Sequence, residues 1–442
     1  MKPYILIYSP FETVSGYGAH SRDLIKPLLE QNKIDNKYDI KLISAGWGST
    51  PKVYFNNCDD YLKELFLPHI IPLQEVNSLA RPDLAITISI PTEFVVFGIK
   101  NLAITAGVEV DKASDLWTGL IDQNRDSLHK IIVPSEFTKD VLFKDVKRFN
   151  KNNADVLFEG VDTTVFKPLP DEAEFTDKVA KISDQIKEPF AFLFTGQWVN
   201  INEYMDMDGR KNIKGLITMF YKTFTGMQND VSLVLKTNAG NNSVMDKTKI
   251  TDLLFKIKMH AAMEMKIDHK QLPNIHLIHG NLTDEEVNQL YNIPQIKAMV
   301  STTRGEGYGR PLAEFAAVKK PVLATNWSGQ LDFLTNDKFL FDYTLKEVEE
   351  FNIWKDVIEK DSKWAHVVES DVINKLSAVY FNYDGMKDEF IETVSNNIIT
   401  NFNINKMNTR FVEIVEAMIP VIDVDLTAIN KKLQSLKNFK KR

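Results

Sequence analysis

The stretch from Ile296 to Asp332 constrains this chain most, because a strand, a glycine loop, a helix start and a second strand follow one another without a break. Ala298 to Val300 is an apolar run that reads as a buried parallel strand. The loop after it holds Gly305, Glu306, Gly307 and Gly309. Pro311 stands where a first helical residue belongs, and Leu312, Phe315, Ala316 and Ala317 continue at helical spacing. Pro321 to Ala324 supplies the next strand. Such a unit presents backbone N–H groups at a helix N-terminus, where they can hold phosphate.

Two carboxylates sharpen the reading. Glu306 lies in the loop and Glu314 in the first helical turn, with seven residues between them. A donor made of sugar, diphosphate and nucleoside needs N–H donors for its phosphates and strong acceptors for its sugar and ribose hydroxyls. The two glutamates are spaced to be those acceptors, although an isolated pair reads as a solvated turn acid and an acid favouring the helix macrodipole. Set in EGYGRPLAE between two strands, the pair resembles the signature of retaining glycosyltransferases of the GT-B fold, specifically family 4. The resemblance implies α/β architecture: GT-B, two Rossmann-like doubly wound domains facing a central cleft. It also implies donor contacts by Glu306, Gly307, Tyr308, Gly309, Arg310 and Glu314.

At 442 residues the chain is long enough for two domains. Hydrophobic residues at 44% and charged ones at 26% are those of an ordinary globular protein. A net charge of −7 gives no global basic field of the kind that advertises nucleic acid or anionic membrane. Cys58 is the single cysteine, so no disulfide closes within the chain and a reducing compartment fits. MKPYILIYSPFE enters a strand directly, with no signal-peptide pattern, and no apolar run is long enough to span a bilayer. A cytoplasmic location is the expectation.

In the first half, Tyr4–Tyr8, Asp39–Ala45, Asp83–Ile90, Leu102–Ala106, His129–Pro134 and Val156–Phe158 read as strands with helices between them. Gly16 and Gly18 open the first helix, where the resemblance implies a glycine loop facing the donor diphosphate. His20, just inside that helix, reads as a partly exposed residue rather than a catalyst. Gly107, Glu109, Asp111 and Trp117 resemble an E-x-D…W pattern of relatives, which makes Glu109 the candidate acid near acceptor and anomeric carbon. A histidine is commoner there. EGVDTTVFKPLP resembles the segment at which family members leave the first domain, and its prolines stop pairing and stiffen a hinge. The boundary is expected near Pro170: residues 1–170 as the acceptor-binding domain and 171–404 as the donor-binding domain. The C-terminal helix, about 405–442, is expected to pack back on the first.

The second half repeats the plan, with strands at Phe190–Phe194, Val231–Leu235 and Ile275–Ile278 and a helix at Asp284–Asn292 capped by Thr283 and Glu286. Gly196 follows the first of these strands. Arg210 and Lys214 flank the next helix entry and Lys236 ends the next strand, so all three cations are expected in one crevice, since parallel sheets bind ligands at their carboxyl edges. RKNIKG resembles the arginine-plus-lysine clamp on a leaving diphosphate, although Gln197 stands where the arginine is commonest. Asp206 and Asp208 form a DxD read as loop acids rather than a metal site. Asn326, Trp327, Ser328, Gly329 and Asp332 are read as donor contacts or a helix cap. The sequence after Phe341 reads as mostly helical and charged, ending in the basic tail KKLQSLKNFKKR, a possible contact for an anionic partner.

The expected function is metal-independent, retaining transfer of a sugar from a nucleotide-diphosphate sugar to a hydroxyl acceptor. Glu306, Glu109, Arg210 and Lys214 would carry the chemistry, with no cofactor beyond the donor itself. The acceptor could be a glycan, a lipid, a small molecule or a modified nucleic acid base. A catalytically silent nucleotide-sugar-binding protein on the same fold is the alternative. A nicotinamide-dependent oxidoreductase ranks low, because no full GxGxxG follows the first strand.

Overall fold

A computed structural model describes residues 2–48, 50–78, 80–198, 204, 207–240 and 242–419. Two six-stranded sheets organise them. The first runs β2-β1-β3-β4-β5-β6, with β1 Tyr4–Ser9, β2 Asp39–Ser44, β3 Leu84–Ile88, β4 Lys100–Ile104, β5 Lys130–Val133 and β6 Ala154–Val156. The second runs β12-β11-β10-β7-β8-β9, from β7 Phe190–Thr195, β8 Val231–Lys236, β9 Asn274–Ile278, β10 Ile296–Ser301 and β11 Val322–Thr325 to β12 Leu340–Phe341. Every pairing in both is parallel. Helices cover both faces, which is why strands such as FAFLFT are apolar throughout.

The strand orders fix where a ligand can enter. Order reverses between β1 and β3 in the first sheet and between β7 and β10 in the second. Loops leaving adjacent strands diverge at such a point and open a crevice at the carboxyl edge. The loop after β7 holds Gly196, Arg210 and Lys211, and the loop after β10 holds Glu306.

The chain crosses between the sheets twice. After β6, Phe158 packs 4.8 Å from Phe402, and Val161 enters the core of the second sheet. Val161 and Ile404 then pair through their backbones, and the helix Ile404–Met418 lays Met407, Phe411, Val415 and Met418 into the core of the first sheet, against the helix Gly16–Asp35. Full burial of each such side chain is worth about 1.5–3 kcal/mol, so this helix is an integral part of the first domain's core.

One region differs from its sequence reading. Residues after Phe341 form an antiparallel hairpin, β13 Tyr343–Glu347 with β14 Lys363–Val367, before helix resumes at Glu369. Its Trp364 and Ala365, with Val348, belong to a core that Trp117, Ile131 and Val133 of the first domain share. The pairing joins Tyr343 to Val367 and Glu347 to Lys363, and the burial that stabilises it comes from the other domain, so local propensity does not reveal it.

Candidate functional site

Three charged side chains meet at the β7/β10 switch point. Arg210 Nη1 lies 3.1 Å from Glu306 Oε2, and Lys211 Nζ pairs with the other oxygen of the same carboxylate. Arg210 also reaches across the cleft, with Nη2 2.8 Å from Glu109 Oε1. Burial pushes the Glu306 carboxyl up, but Lys211 and Arg210 together outweigh it and bring it down to about 2. Burial keeps the Glu109 carboxyl raised, only partly offset by Arg210.

Two loop geometries aim this cluster. Asn212 takes a left-handed conformation, φ 51°, immediately before the helix Ile213–Phe224, and turns Lys211 toward Glu306. The Arg304 N–H donates to the Arg210 carbonyl at 2.8 Å, tying the two loops together. Arg304 in turn pairs with Glu349 at 3.0 Å on the chain after β13, so the hairpin buttresses the loops of the site.

Lys214 and Lys236 do not join the cluster. Lys214 is buried in the first helical turn, where Nζ donates to the carbonyls of Tyr204 at 2.6 Å and Met207 at 2.7 Å. The lysine position on Glu306 therefore belongs to Lys211. Lys236 donates to the Gly280 carbonyl at 2.7 Å, with burial and neighbouring Lys178 lowering its amine to about 8. The predicted crevice of three cations thus holds one of them, Arg210, with Lys211 added.

The second glutamate sits one helical turn on. Gly309, at φ 99°, caps the helix Arg310–Ala317 without a side-chain acceptor, a conformation that suits glycine. Arg310 Nε lies 2.8 Å from Glu314 Oε1, while Nη1 crosses the cleft to Asp23 Oδ2 at 2.5 Å. Burial raises Glu314 to about 7 against the pull of Arg310, and raises Glu159 to about 7 in the same field. One guanidinium thus serves Asp23, Glu159 and Glu314, and the group keeps a proton near neutrality. His20 is buried, and loss of hydration lowers its imidazole to about 4, so it is neutral and not the exposed residue its sequence suggests.

The loop after β10 is pressed against the first domain. A Cβ at Gly307 would lie 2.3 Å from the Ala106 carbonyl oxygen, so only glycine allows this approach. Ser135 Oγ donates to the Gly307 carbonyl at 2.6 Å. Asp332 accepts from the Glu136 N–H at 2.9 Å, which caps a helix of the other domain. Tyr308 is buried at this seam, 6.4 Å from Phe158 and 5.1 Å from Phe333, so its ring packs rather than facing a ligand.

The remaining candidates have clear places. Gly16 and Gly18 begin the helix capped by Ser15, and a Cβ at Gly16 would meet open space. A Cβ at Gly196 would lie 3.7 Å from Lys211 Cδ, so Gly196 borders the cluster. Asp111 pairs with Lys363 through backbone and carboxylate, docking the hairpin. Asp208 lies in a loop, as read, but is buried there and accepts from Gly215 N at 3.1 Å at the start of the next helix. Asp206 and the basic tail lie outside the described residues. Sequence reasoning missed Lys211, Asp23 and Glu159; RKN held the one signal, an asparagine able to adopt the left-handed turn.

Comparison with known proteins gives this geometry a frame. Residues 206–353 match the family model described as "Glycosyl transferases group 1". No curated protein matches the sequence. A glycosyltransferase from Rickettsia africae is similar in structure, with TM-score 0.61 and 17% identity over 94% of this chain and 98% of that one. Anabaena HepE in complex with UDP-glucose gives 0.59 and 12% over 94% and 99%. The structure described as "Trehalose-6-phosphate from E. coli bound with UDP-2-fluoro glucose" gives 0.60 and 9% over 95% and 99%. Residues 206–353 thus match a group 1 glycosyl transferase domain, within a fold of two Rossmann-like parallel-sheet domains like that of the GT-B structures.

Proposed function

We propose that the protein transfers a hexosyl group, with retention of anomeric configuration and without a metal, from a nucleotide-diphosphate sugar to a hydroxyl acceptor. The observation that carries this reading is the pairing of Glu306 with both Arg210 and Lys211 beside a helix N-terminus that has no side-chain cap. A diphosphate entering there meets two cations and the positive end of the helix, and displaces carboxylate from the cations. Glu306, released, accepts from hydroxyls of the donor sugar, and Glu314 accepts from the ribose. Glu109, tied to Arg210 from the opposite wall, lies by the reacting centre. Two neighbours of the same fold hold UDP-glucose and UDP-2-fluoro glucose, which favours a UDP-sugar as the first donor to try.

The chemistry follows from where charge develops. The acceptor oxygen bonds to the anomeric carbon as the bond from that carbon to the β-phosphate oxygen breaks. The electron pair leaves on the diphosphate, which Arg210, Lys211 and the helix N-terminus stabilise. The acceptor proton passes to that same phosphate oxygen, so attack and departure share one face and configuration is kept. Closure of the cleft excludes water as a competing acceptor.

Proton NMR of UDP-glucose incubated with the protein in EDTA tests this. α-Glucose should appear first, with Lys211→Ala slowing its release. Initial β-glucose would contradict retention, strict dependence on added metal would contradict the cationic role, and binding without turnover to water or any sugar acceptor would leave a silent binder.

A further inference from the structure

Opposite the charged cluster, the carboxyl edge of the first sheet carries an aromatic pair. Tyr17 and Trp47 stack with centroids 4.0 Å apart and planes at 30°. The Tyr17 hydroxyl is pinned at the end of β4, accepting from the Ala106 N–H at 2.9 Å and lying 3.0 Å from Thr105 Oγ1. Other aromatic groups of this domain, such as Phe11, Phe55 and Phe66, are buried together in its core. Tyr17 and Trp47 belong to none of the hydrophobic cores and are only half-buried. Trp47 is flanked by Gly46 and Gly48, and Cβ atoms built there, or at Gly16 beside Tyr17, would meet open space. A rigid aromatic surface with glycines on both sides leaves room for a flat ligand.

The charge around it selects the ligand further. Glu109 and Glu159 lie near enough to act on the Tyr17 hydroxyl, and Asp23 stands on the same helix as Tyr17. Among the described residues, Arg22, Lys52 and Arg310 are committed. Arg22 donates to the carbonyls of Phe11 at 2.7 Å and Thr13 at 2.9 Å, Lys52 donates to the Ser44 carbonyl at 2.8 Å, and Arg310 serves Asp23 and Glu314. Arg210 and Lys211 are the groups the donor diphosphate takes. An anionic acceptor would have to displace Asp23 from Arg310 or Glu109 from Arg210 to gain a cation. A neutral ring bearing hydroxyls would find acceptors for its O–H groups and an aromatic face for its C–H face, whose hydrogens carry the partial positive charge that the ring face attracts.

We propose that Trp47, backed by Tyr17, is the acceptor platform, and that the acceptor presents an uncharged sugar ring rather than a sugar phosphate, an anionic lipid headgroup or a nucleic acid. This rests on the glycosyltransferase reading above, because it places the platform across the cleft from the donor phosphates. Trp47 sets affinity and register for the acceptor, and Glu109 and Glu159 orient its hydroxyls.

Saturation-transfer NMR on the full chain with UDP tests it, using neutral methyl glycosides of glucose, galactose, mannose and N-acetylglucosamine against the matching 6-phosphates. The UDP signal, read in the same tube, reports the donor site and the fold separately. The expected result is transfer to at least one neutral glycoside in the wild type, reduced at least five-fold in Trp47→Ala and largely restored in Trp47→Phe. Transfer to no neutral glycoside, equal or stronger transfer to a 6-phosphate, or a signal unchanged in Trp47→Ala would overturn the proposal. Loss of the UDP signal in the wild type would instead strike the donor assignment.

Discussion

The two carboxyl edges that face each other across the cleft share an architecture and differ in chemistry. Both sheets are parallel and six-stranded, and both reverse strand order at one point. The second edge gathers Arg210, Lys211, Glu306 and Glu314 around an open helix N-terminus, whereas the first presents an aromatic pair and the carboxylates Asp23, Glu109 and Glu159. Fold alone therefore does not divide the labour. The division comes from which side chains the loops carry, with cations gathered on a glutamate at one edge and an aromatic pair beside arginine-paired carboxylates at the other.

The largest expected effect breaks the cationic edge. Lys211→Ala should lower turnover of the nucleotide sugar by roughly 10²–10³-fold in a UDP-release assay, the loss typical of a group that stabilises developing charge. Lys214→Ala should instead show itself as a lowered melting temperature, because that amine holds the carbonyls of its own loop. Equal kinetic losses from the two would contradict the assignment. Glu314→Ala comes next. A ligand raises the melting temperature only through affinity for the folded state, and the stabilisation that UDP gives should be mostly lost in this variant. Gly307→Ala tests how closely the edges are pressed together: a Cβ 2.3 Å from the Ala106 oxygen must push the walls apart, with an expected loss of about 2 kcal/mol in urea unfolding.

The smallest effect concerns pH. Burial raises the Glu159 carboxyl from 4.5 to about 7, so between those values the folded state holds a proton that the unfolded state has released. Stability from this group is present below pH 4.5 and is lost as pH rises through 7. Glu159→Gln should therefore stabilise the protein more at pH 8 than at pH 5, read from paired denaturation curves. A greater benefit at pH 5 would reverse the sign and refute the account of that cluster.

The two edges were also unequally legible in the sequence. The glycine loop and the Glu306/Glu314 pair lie in one contiguous segment, where spacing along strand and helix carries the geometry, and the strands expected from apolar runs appear within a few residues of their places. Lys211 was missed in favour of Lys214 because the choice turns on one left-handed residue, Asn212, which periodicity does not register. The Tyr17–Trp47 pair and the Arg310–Asp23 bridge join loops and helices far apart in sequence, as does the hairpin docked on the first domain. Each depends on tertiary contacts that no local window contains.

The most direct test of the divided cleft is calorimetric titration of UDP into the wild type, Lys211→Ala and Glu314→Ala in EDTA. The account predicts binding by the wild type that weakens at least ten-fold, about 1.4 kcal/mol, in each variant. Unchanged affinity in both variants would show that the phosphate-binding edge lies elsewhere.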